Sequence, residues 1–278
     1  MDATLLLNAP AEAIGGLENG KVVILPQGGF ALTPAEQRLL DPALLGSAKN
    51  ISLSPEGRLK HTSAPAPDRP ALTAMMARYA AFARDLVDTI APAYRPHLVR
   101  GRTSFRPAEI AGRKSSPVRD DSRLHVDAFP ATPMGGRRIL RVFANVNPRQ
   151  PRQWNVGEPF EAVARRFLPA IKAKPAPLRA LMAGLGITKR YRSLYDEYML
   201  GLHDGAKLDL AYQERCEKTP VAFQPGTVWL CYTDQVMHAA LSGQHALEQT
   251  FYLPPAAMAD PATTPLAVLE RMTGARLV

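Results

Sequence analysis

The order of motifs and strands along the sequence predicts an α+β protein. Its core is expected to be a double-stranded β-helix, a cupin-like jelly roll with flanking helices and a helical insert. The triplet His125-Val126-Asp127 is followed by a strand-like stretch at residues 138–147. A Pro-Gly turn then opens a second strand-like stretch at 224–232, and His238 and a last strand at 247–253 follow. Closed antiparallel architectures of this kind are built from such short, turn-separated strands.

Residues 1–97 are predicted to support this core from outside. The segment contains five strand or helix patterns. They are strands at 4–7 and 22–25, a helix at 34–45, a hairpin at 51–61 and a helix at 71–90. Thr33 is the expected N-cap of the helix at 34–45, with Pro34 in its first turn. The apolar stripe of residues 71–90 has helical spacing, which indicates a helix packed behind the sheet.

The whole chain of 278 residues is expected to form one domain. The β-helix core is assigned to residues 98–254, with a first strand at 97–106 and a helical insert at 148–214. Residues 255–278 form a C-terminal extension. Four helices are expected in these last two segments, at 158–167, 176–185, 193–213 and 265–271.

The H-x-D triplet and His238 are the predicted metal ligands and the predicted catalytic centre. Alternate residues of a strand share a face, so His125 and Asp127 would converge on one point. His238 from a neighbouring strand would complete a set of two imidazoles and one carboxylate, which binds one face of an octahedral Fe(II). The alternative is a capped turn with an ordinary half-buried histidine, and the order of the strands favours the metal site.

Two stretches of the chain resemble the Kdo 3-hydroxylase family. One runs from Arg123 through the triplet to Pro148, and the other from Phe223 through His238 to Phe251. That family comprises bacterial dioxygenases that hydroxylate C3 of a 3-deoxy-octulosonic acid (Kdo) residue in Kdo-lipid A. The resemblance implies Fe(II) as the metal, 2-oxoglutarate and O2 as co-substrates, and a Kdo-containing lipid A precursor as the acceptor.

The 5-carboxylate of 2-oxoglutarate requires a cation, and a guanidinium offers it a bidentate match. No Arg or Lys lies between His238 and Asp260, so the last strand does not supply one. Strand alternation places Arg141 and Asn145 on the same, polar face. Arg141 is therefore predicted to bind the 5-carboxylate, with Asn145 and Gln249 as nearby hydrogen-bond partners. A surface position for Arg141 is the alternative.

The basic segment at residues 102–123 precedes the triplet directly. Within it Arg102, Arg119 and Arg123 are predicted to bind the anionic acceptor, and a solvated basic loop is the alternative. His203 and Asp204 are adjacent on a predicted helix, so their side chains diverge by about 100°. A substrate-facing or structural role therefore suits this pair better than a second metal site.

Charge and composition point to an anionic partner. The net charge is +9 and the pI is about 9.8. Nucleic acid is disfavoured, because aromatic residues are only 7% and no basic recognition motif is present. Two isolated cysteines, no signal-peptide pattern and no apolar run of membrane length favour a cytoplasmic location, compatible with peripheral contact at an anionic inner membrane. The sequence leaves the oligomeric state open.

Two other functions remain open at this point. The same chemistry would serve a peptide side chain or a small metabolite as acceptor. A non-catalytic, cupin-like barrel that binds an anionic sugar is the third possibility. It is disfavoured because a binding module has no need of His238 in the position that completes the metal set.

Overall fold

Two β-sheets face each other at the centre of the protein. The structure is a computed structural model that describes residues 3–6 and 10–278. In chain order the described strands are β1 (Thr4–Leu6), β2 (Val22–Leu25), β3 (Ile51–Leu53), β4 (Leu59–Lys60), β5 (Val99–Arg106), β6 (Arg138–Asn145), β7 (Arg152–Val156), β8 (Thr219–Phe223), β9 (Val228–Tyr232), β10 (His238–Ser242) and β11 (Ala246–Leu253). The larger sheet has the order β1-β2-β9-β6-β11-β5-β3-β4, and the smaller has β10-β7-β8. All pairs are antiparallel except β1 with β2, so the protein mixes helices with mainly antiparallel sheet.

Helices cover the outer side of the larger sheet and one end of the smaller sheet. In chain order the described helices are α1 (Pro10–Glu18), α2 (Pro34–Gln37), α3 (Arg69–Ile90), α4 (Phe160–Phe167), α5 (Ala176–Gly184), α6 (Leu194–Leu208), α7 (Leu210–Arg215) and α8 (Pro265–Thr273). None of them, within the described ranges, combines the length and apolarity that a membrane span requires.

The alternation predicted for β6 is confirmed. Leu140 and Val142 point to the outer core, where α3 packs and the Tyr79 hydroxyl donates to the Val142 carbonyl at 2.9 Å. Phe143 points between the sheets and stacks on Trp229 with ring centroids 5.1 Å apart. The apolar stripe of α3 is thus core support, as its spacing predicts, and the space between the sheets is lined by the other face of β6.

Two helices that the sequence predicts as continuous are interrupted in the structure, one ahead of Pro42 and the other at Asp209. The helix expected at 34–45 ends at Gln37, and a separate short 3-10 helix follows at Pro42–Leu44. Its predicted start is confirmed, because Thr33 and Glu36 form a reciprocal capping box. The helix expected at 193–213 divides into α6 and α7 at Asp209, whose side chain accepts from the Tyr212 amide and so begins a new helix. Residue 7 of the first predicted strand lies outside the described residues.

The helical insert begins later than the sequence suggested. Residues 152–156 form β7, the central strand of the smaller sheet, so they belong to the core rather than to an insert starting at 148. The insert therefore lies between β7 and β8 and contains α4 to α7. Arg152, Trp154 and Val156 are buried in alternation with less buried neighbours. The sequence signal for this strand was the alternation of Trp154 and Val156 with polar residues, which is short and follows a stretch of prolines and arginines.

Candidate metal centre

His125, Asp127 and His238 converge between the two sheets. One ligand atom from each lies within 4.8 Å of the others, and they are the sole such group among the residues that the structure describes. The ring centroids of His125 and His238 are 4.6 Å apart, and His125 Nε2 lies 4.0 Å from Asp127 Oδ1. The three side chains predicted from the sequence therefore meet at one point.

The backbone sets this geometry directly. His125 and His238 form an antiparallel bridge in which each amide donates to the other carbonyl, at 3.1 and 2.9 Å. The Asp127 amide donates to the Thr233 carbonyl at 2.7 Å, which holds the other end of the triplet. The triplet is thus an extended segment with a single bridge, not part of a longer strand. Val126, between the two ligands, packs into the apolar cluster of the insert helices.

Both histidines present a free Nε2 to the centre. His125 Nδ1 lies 2.8 Å from the Arg123 carbonyl, and His238 Nδ1 lies 2.9 Å from the Val236 carbonyl. A carbonyl only accepts, so each Nδ1 donates its proton and each Nε2 keeps a lone pair. Burial lowers the pKa of both imidazoles, and for His125 the neighbouring His238 lowers it further. Neutral imidazoles with outward Nε2 lone pairs are the form that binds a metal.

Asp127 supplies the anionic ligand. Burial by itself would raise its pKa, but Arg141 and the two histidines outweigh burial and hold the pKa well below its usual range. Arg141 Nη2 is 2.8 Å from Asp127 Oδ2, yet this buried oxygen accepts no hydrogen bond of good geometry from the described residues. A charged carboxylate oxygen without a hydrogen bond, beside two neutral imidazoles, fits Fe(II) as the third ligand.

Arg141 joins the metal centre to a row of alternating charges. Its Nη1 donates to Glu248 Oε1 at 2.9 Å, and Glu248 Oε2 accepts from Arg106 Nη2 at 2.8 Å. Arg141 faces inward, as predicted, so the surface alternative is wrong. Glu248 was missed because the last strand was searched for cations only. Its inward direction follows from the register of β11 with β6, in which Glu248 pairs with Phe143.

The two amides predicted beside Arg141 have different positions. Asn145 shares the face of Arg141, but its Nδ2 donates to the carbonyls of Gln150 and Phe223, both at 2.9 Å. Gln249 pairs across with Val142 and so lies on the opposite face of β11. Its placement beside Arg141 is therefore wrong, because it follows Glu248 by one residue and neighbouring strand residues face opposite ways.

Arg152 is a buried cation that sequence reasoning missed. It is 3% exposed on the inner face of β7, and its Nη1 donates to the Gly243 carbonyl at 3.1 Å. Among the described residues no carboxylate oxygen lies within 4.0 Å of its nitrogens, and its Nε has no hydrogen-bond partner. Burial and then Arg106 lower its pKa to about 9. Since a guanidinium keeps its proton in proteins, this marks a charge in need of an anion.

The three arginines predicted to bind the acceptor have unequal positions. Arg102 is exposed on β5 and acts on the pKa of Tyr252, which burial raises and Arg102 lowers. Arg119 is also exposed, and its carbonyl accepts from Lys49 Nζ. Arg123 is half-buried, and its Nη1 donates to the Lys207 carbonyl at 2.7 Å, a bond that ties the triplet to the end of α6.

His203 reaches the metal centre from α6. Its ring lies edge-on to His125 with centroids 5.5 Å apart, and its Nδ1 is 2.7 Å from Asp204 Oδ1. It belongs to no second metal-type group among the described residues. His203 therefore forms part of the wall on the side of the centre that the insert covers.

The chain is similar to known proteins along nearly its whole length. Residues 3–276 match the family model described as 3-deoxy-D-manno-oct-2-ulosonic acid (Kdo) hydroxylase. The cobalt(II) complex of the Kdo hydroxylase KdoO, a non-haem Fe(II) α-ketoglutarate-dependent dioxygenase, superposes with a TM-score of 0.96 at 42% identity, covering 99% of this chain and 97% of that chain. The complex of that enzyme with α-ketoglutarate (2-oxoglutarate) and Fe(III) gives a TM-score of 0.94 with the same identity and coverage. No curated protein matches the chain.

Proposed function

This chain belongs to the Kdo hydroxylase family of non-haem Fe(II)- and 2-oxoglutarate-dependent dioxygenases, and we propose on that premise that it hydroxylates C3 of a Kdo residue in Kdo-lipid A. The observation that carries the proposal is the convergence of His125, Asp127 and His238 with both Nε2 atoms free. Fe(II) bound there supplies the coupled reaction in which 2-oxoglutarate and O2 give succinate and CO2 while the second oxygen atom enters the acceptor as hydroxyl.

The residues around the metal have distinct tasks in this reaction. The backbone carbonyls of Arg123 and Val236 hold the Nδ1 protons and so fix the imidazole tautomers. Arg141 orients the Asp127 carboxylate and lowers its pKa, which keeps it anionic. The insert wall with His203 limits the access of water to the centre from that side.

For 2-oxoglutarate, we keep Arg141 as a proposed partner of the 5-carboxylate and add Arg152. Both guanidiniums lie on the inner faces of the sheets. Arg141 already contacts Asp127 and Glu248, whereas Arg152 has no carboxylate partner in the described chain. An incoming carboxylate would therefore gain most from Arg152, since that charge is buried and has no carboxylate within ion-pair distance among the described residues.

We interpret the two facing sheets as the halves of a double-stranded β-helix within a single domain. The support is the inner face shared by β6, β9 and β7, where Phe143, Trp229 and Trp154 pack together. In this interpretation the metal ligands lie between the two halves of the barrel.

We further propose that the enzyme acts in the cytoplasm at the surface of the inner membrane. The support is the net charge of +9 and an acceptor whose lipid is held in a bilayer. Arg102 and Arg119 are exposed and are the cations we propose to meet acceptor anions.

The test is product formation with the purified, Fe(II)-loaded enzyme. Detergent-dispersed Kdo-lipid A, 2-oxoglutarate and O2 are expected to give Kdo-lipid A with one added oxygen on the Kdo residue, with equimolar succinate. A peptide and small 2-keto sugars serve as comparison acceptors. Hydroxylation of one of these in place of Kdo-lipid A would replace the proposed acceptor, and metal binding without any 2-oxoglutarate turnover would indicate a binding protein.

A further inference from the structure

Helix α5 has its apolar side outward. Leu178, Leu181 and Leu185 recur at the spacing of one helical face and are 42–67% exposed. Arg179, on the same helix, is 6% exposed and points inward. This is the reverse of the usual surface helix, whose apolar stripe faces the core. The protein therefore leaves a large part of each of these leucines exposed to solvent.

The apolar surface continues beyond the helix. Ile187 and Tyr191 are 56% and 48% exposed. Of the nine large apolar residues that are exposed in the described chain, five thus lie between residues 178 and 191. We call this set the apolar face, composed of Leu178, Leu181, Leu185, Ile187 and Tyr191. Exposed apolar residues concentrated in one short segment, with Tyr191 also packed against Arg179, point to an interaction surface.

Arg179 closes the base of the segment that carries this face. Its Nε donates to the Lys174 carbonyl at 3.0 Å, and its Nη1 donates to the Arg192 carbonyl at 2.7 Å. The two ends of the segment are therefore held together from inside by one buried guanidinium. We call residues 172–192 the projection. Its ends are joined by Arg179, and the exposed leucines take no part in these hydrogen bonds.

The segment that carries the apolar face is rich in basic residues, of which Lys174 and Arg192 pair with Glu197 from α6. The stretch from residue 162 to residue 195 contains eight Lys or Arg residues and no Asp or Glu. Lys172, Lys189 and Arg190 are exposed beside the leucines. Apolar side chains bordered by exposed cations match a membrane surface with anionic lipids, which attracts basic residues and accepts apolar ones. A water-soluble protein partner has no general need of both features.

The projection lies beside the metal centre. The Lys189 amide donates to the Ala131 carbonyl at 3.0 Å, and Arg192 Nη2 donates to the Pro130 carbonyl at 2.5 Å. Both carbonyls belong to the loop that leaves the metal ligand Asp127. A surface that takes up the apolar face would therefore lie near the loop that carries the metal ligand Asp127.

We propose that the segment 172–192 docks the enzyme on an anionic lipid bilayer, with the apolar face inserted among the lipids and the cations at the headgroups. The inference deepens the proposed function, because it takes the acceptor as a glycolipid delivered from that bilayer. The docked enzyme holds the loop that follows Asp127 close to the headgroup layer.

The test is vesicle flotation of the full-length protein. Vesicles of phosphatidylethanolamine and phosphatidylglycerol, without Kdo-lipid A, are expected to carry the protein upward, and pure phosphatidylcholine vesicles much less. The double variant Leu181→Ser/Leu185→Ser should lose about tenfold in vesicle affinity, as two exposed leucines no longer enter the lipid. Lys189→Gln/Arg190→Gln should also lose about tenfold in affinity for the anionic vesicles, and its binding should depend less on salt than that of the wild type.

Leu208→Ser/Leu210→Ser is the matched control, because these leucines are comparably exposed but lie outside the segment 172–192, at the end of α6 and the start of α7. It should float like the wild type. Thermal unfolding and 2-oxoglutarate turnover without acceptor should be unchanged in the leucine variants, which shows that they fold.

Three results would overturn the docking inference. They are failure of the wild type to float, equal loss in the control, and a dimer that dissociates when the leucines are replaced. Hydroxylation of detergent-dispersed Kdo-lipid A is independent of flotation. An enzyme that hydroxylates but does not float refutes the docking alone, and one that floats but does not hydroxylate refutes the proposed function alone.

Discussion

His125 and His238 hold each other in place through their backbones before any metal binds. Each donates its amide proton to the carbonyl of the other, at 3.1 and 2.9 Å. This pairing aligns two ligands that are far apart in sequence, and it leaves their side chains on the same side of the bridge. The metal ligands are therefore positioned by main-chain hydrogen bonds, which a side-chain substitution does not remove.

Replacement of a ligand should thus abolish metal binding without unfolding the protein. His125→Ala, Asp127→Ala and His238→Ala are each expected to lose Co(II) binding, measured by calorimetry, and 2-oxoglutarate turnover. His97→Ala replaces an exposed histidine and should bind Co(II) normally. Retention of stoichiometric Co(II) by any of the three ligand variants would show that the metal lies elsewhere.

Arg152 and Arg141 should differ in their effect on 2-oxoglutarate. Arg152→Gln is expected to weaken 2-oxoglutarate binding by about 2–5 kcal/mol, as a buried carboxylate loses its charged partner. Co(II) affinity should stay the same. Arg141→Gln should weaken both, because Asp127 loses the adjacent guanidinium.

Arg179→Gln is the control for these two variants, since it removes another buried guanidinium outside the space between the sheets. Unchanged 2-oxoglutarate binding in Arg152→Gln would exclude it as the anchor. A loss confined to Arg141→Gln would leave Arg141 as the sole candidate of the two.

Arg102, exposed on β5, should attract the anionic acceptor by long-range electrostatics. Arg102→Gln is expected to raise the KM for Kdo-lipid A severalfold at low salt and little at high salt, because exposed charges are screened. Turnover of 2-oxoglutarate without acceptor should not change. Arg38→Gln removes an exposed charge at the end of α2, on the outer side of the protein, and should leave KM unaltered. Equal effects of the two substitutions would mean that only net charge matters.

Acidification should destabilise the metal-free protein in two steps. Burial lowers the pKa of both His125 and His238, so the unfolded chain binds more protons than the folded one once the pH falls below about 6.5. Stability therefore declines as the pH falls through that range. Asp127 and Glu248 also have lowered pKa values, so their contribution is lost only at more acidic pH.

Thermal unfolding from about pH 7 to about pH 5 measures the first step. His125→Asn should flatten the decline of Tm over this range, as one of the two titrating groups is gone. A Tm that is equally steep in wild type and variant would show that other groups govern the decline.

Local patterns were enough to predict the strands of the larger sheet, the Thr33 cap and the metal triad, since each depends on residues close in sequence or on one distinctive spacing. The face of Gln249 was not predictable in that way. Glu248, Gln249 and Thr250 are all polar, so alternation alone does not say which of them points inward, and the register with Val142 decides it. Arg152 was missed for a related reason, because its inward position depends on pairing with β8 and β10.

The charged groups between the sheets also determine how the enzyme assembles with its small molecules. The positive groups near the metal centre are Arg106, Arg141, Arg152 and Lys207, and the negative groups are Asp121, Asp127 and Glu248. A divalent cation alone adds two positive charges to this interior, and the 2-oxoglutarate dianion alone adds two negative ones.

Bound together, the two leave its net charge unchanged. We therefore expect positive cooperativity: 2-oxoglutarate should tighten Co(II) binding at least fivefold, and Co(II) should tighten 2-oxoglutarate binding by the same factor. Calorimetric titrations of each in the presence and absence of the other measure both factors, and independent binding would contradict the expectation. Under such coupling the partly loaded forms are less populated than independent binding would make them, and the empty protein and the complete ternary complex gain at their expense.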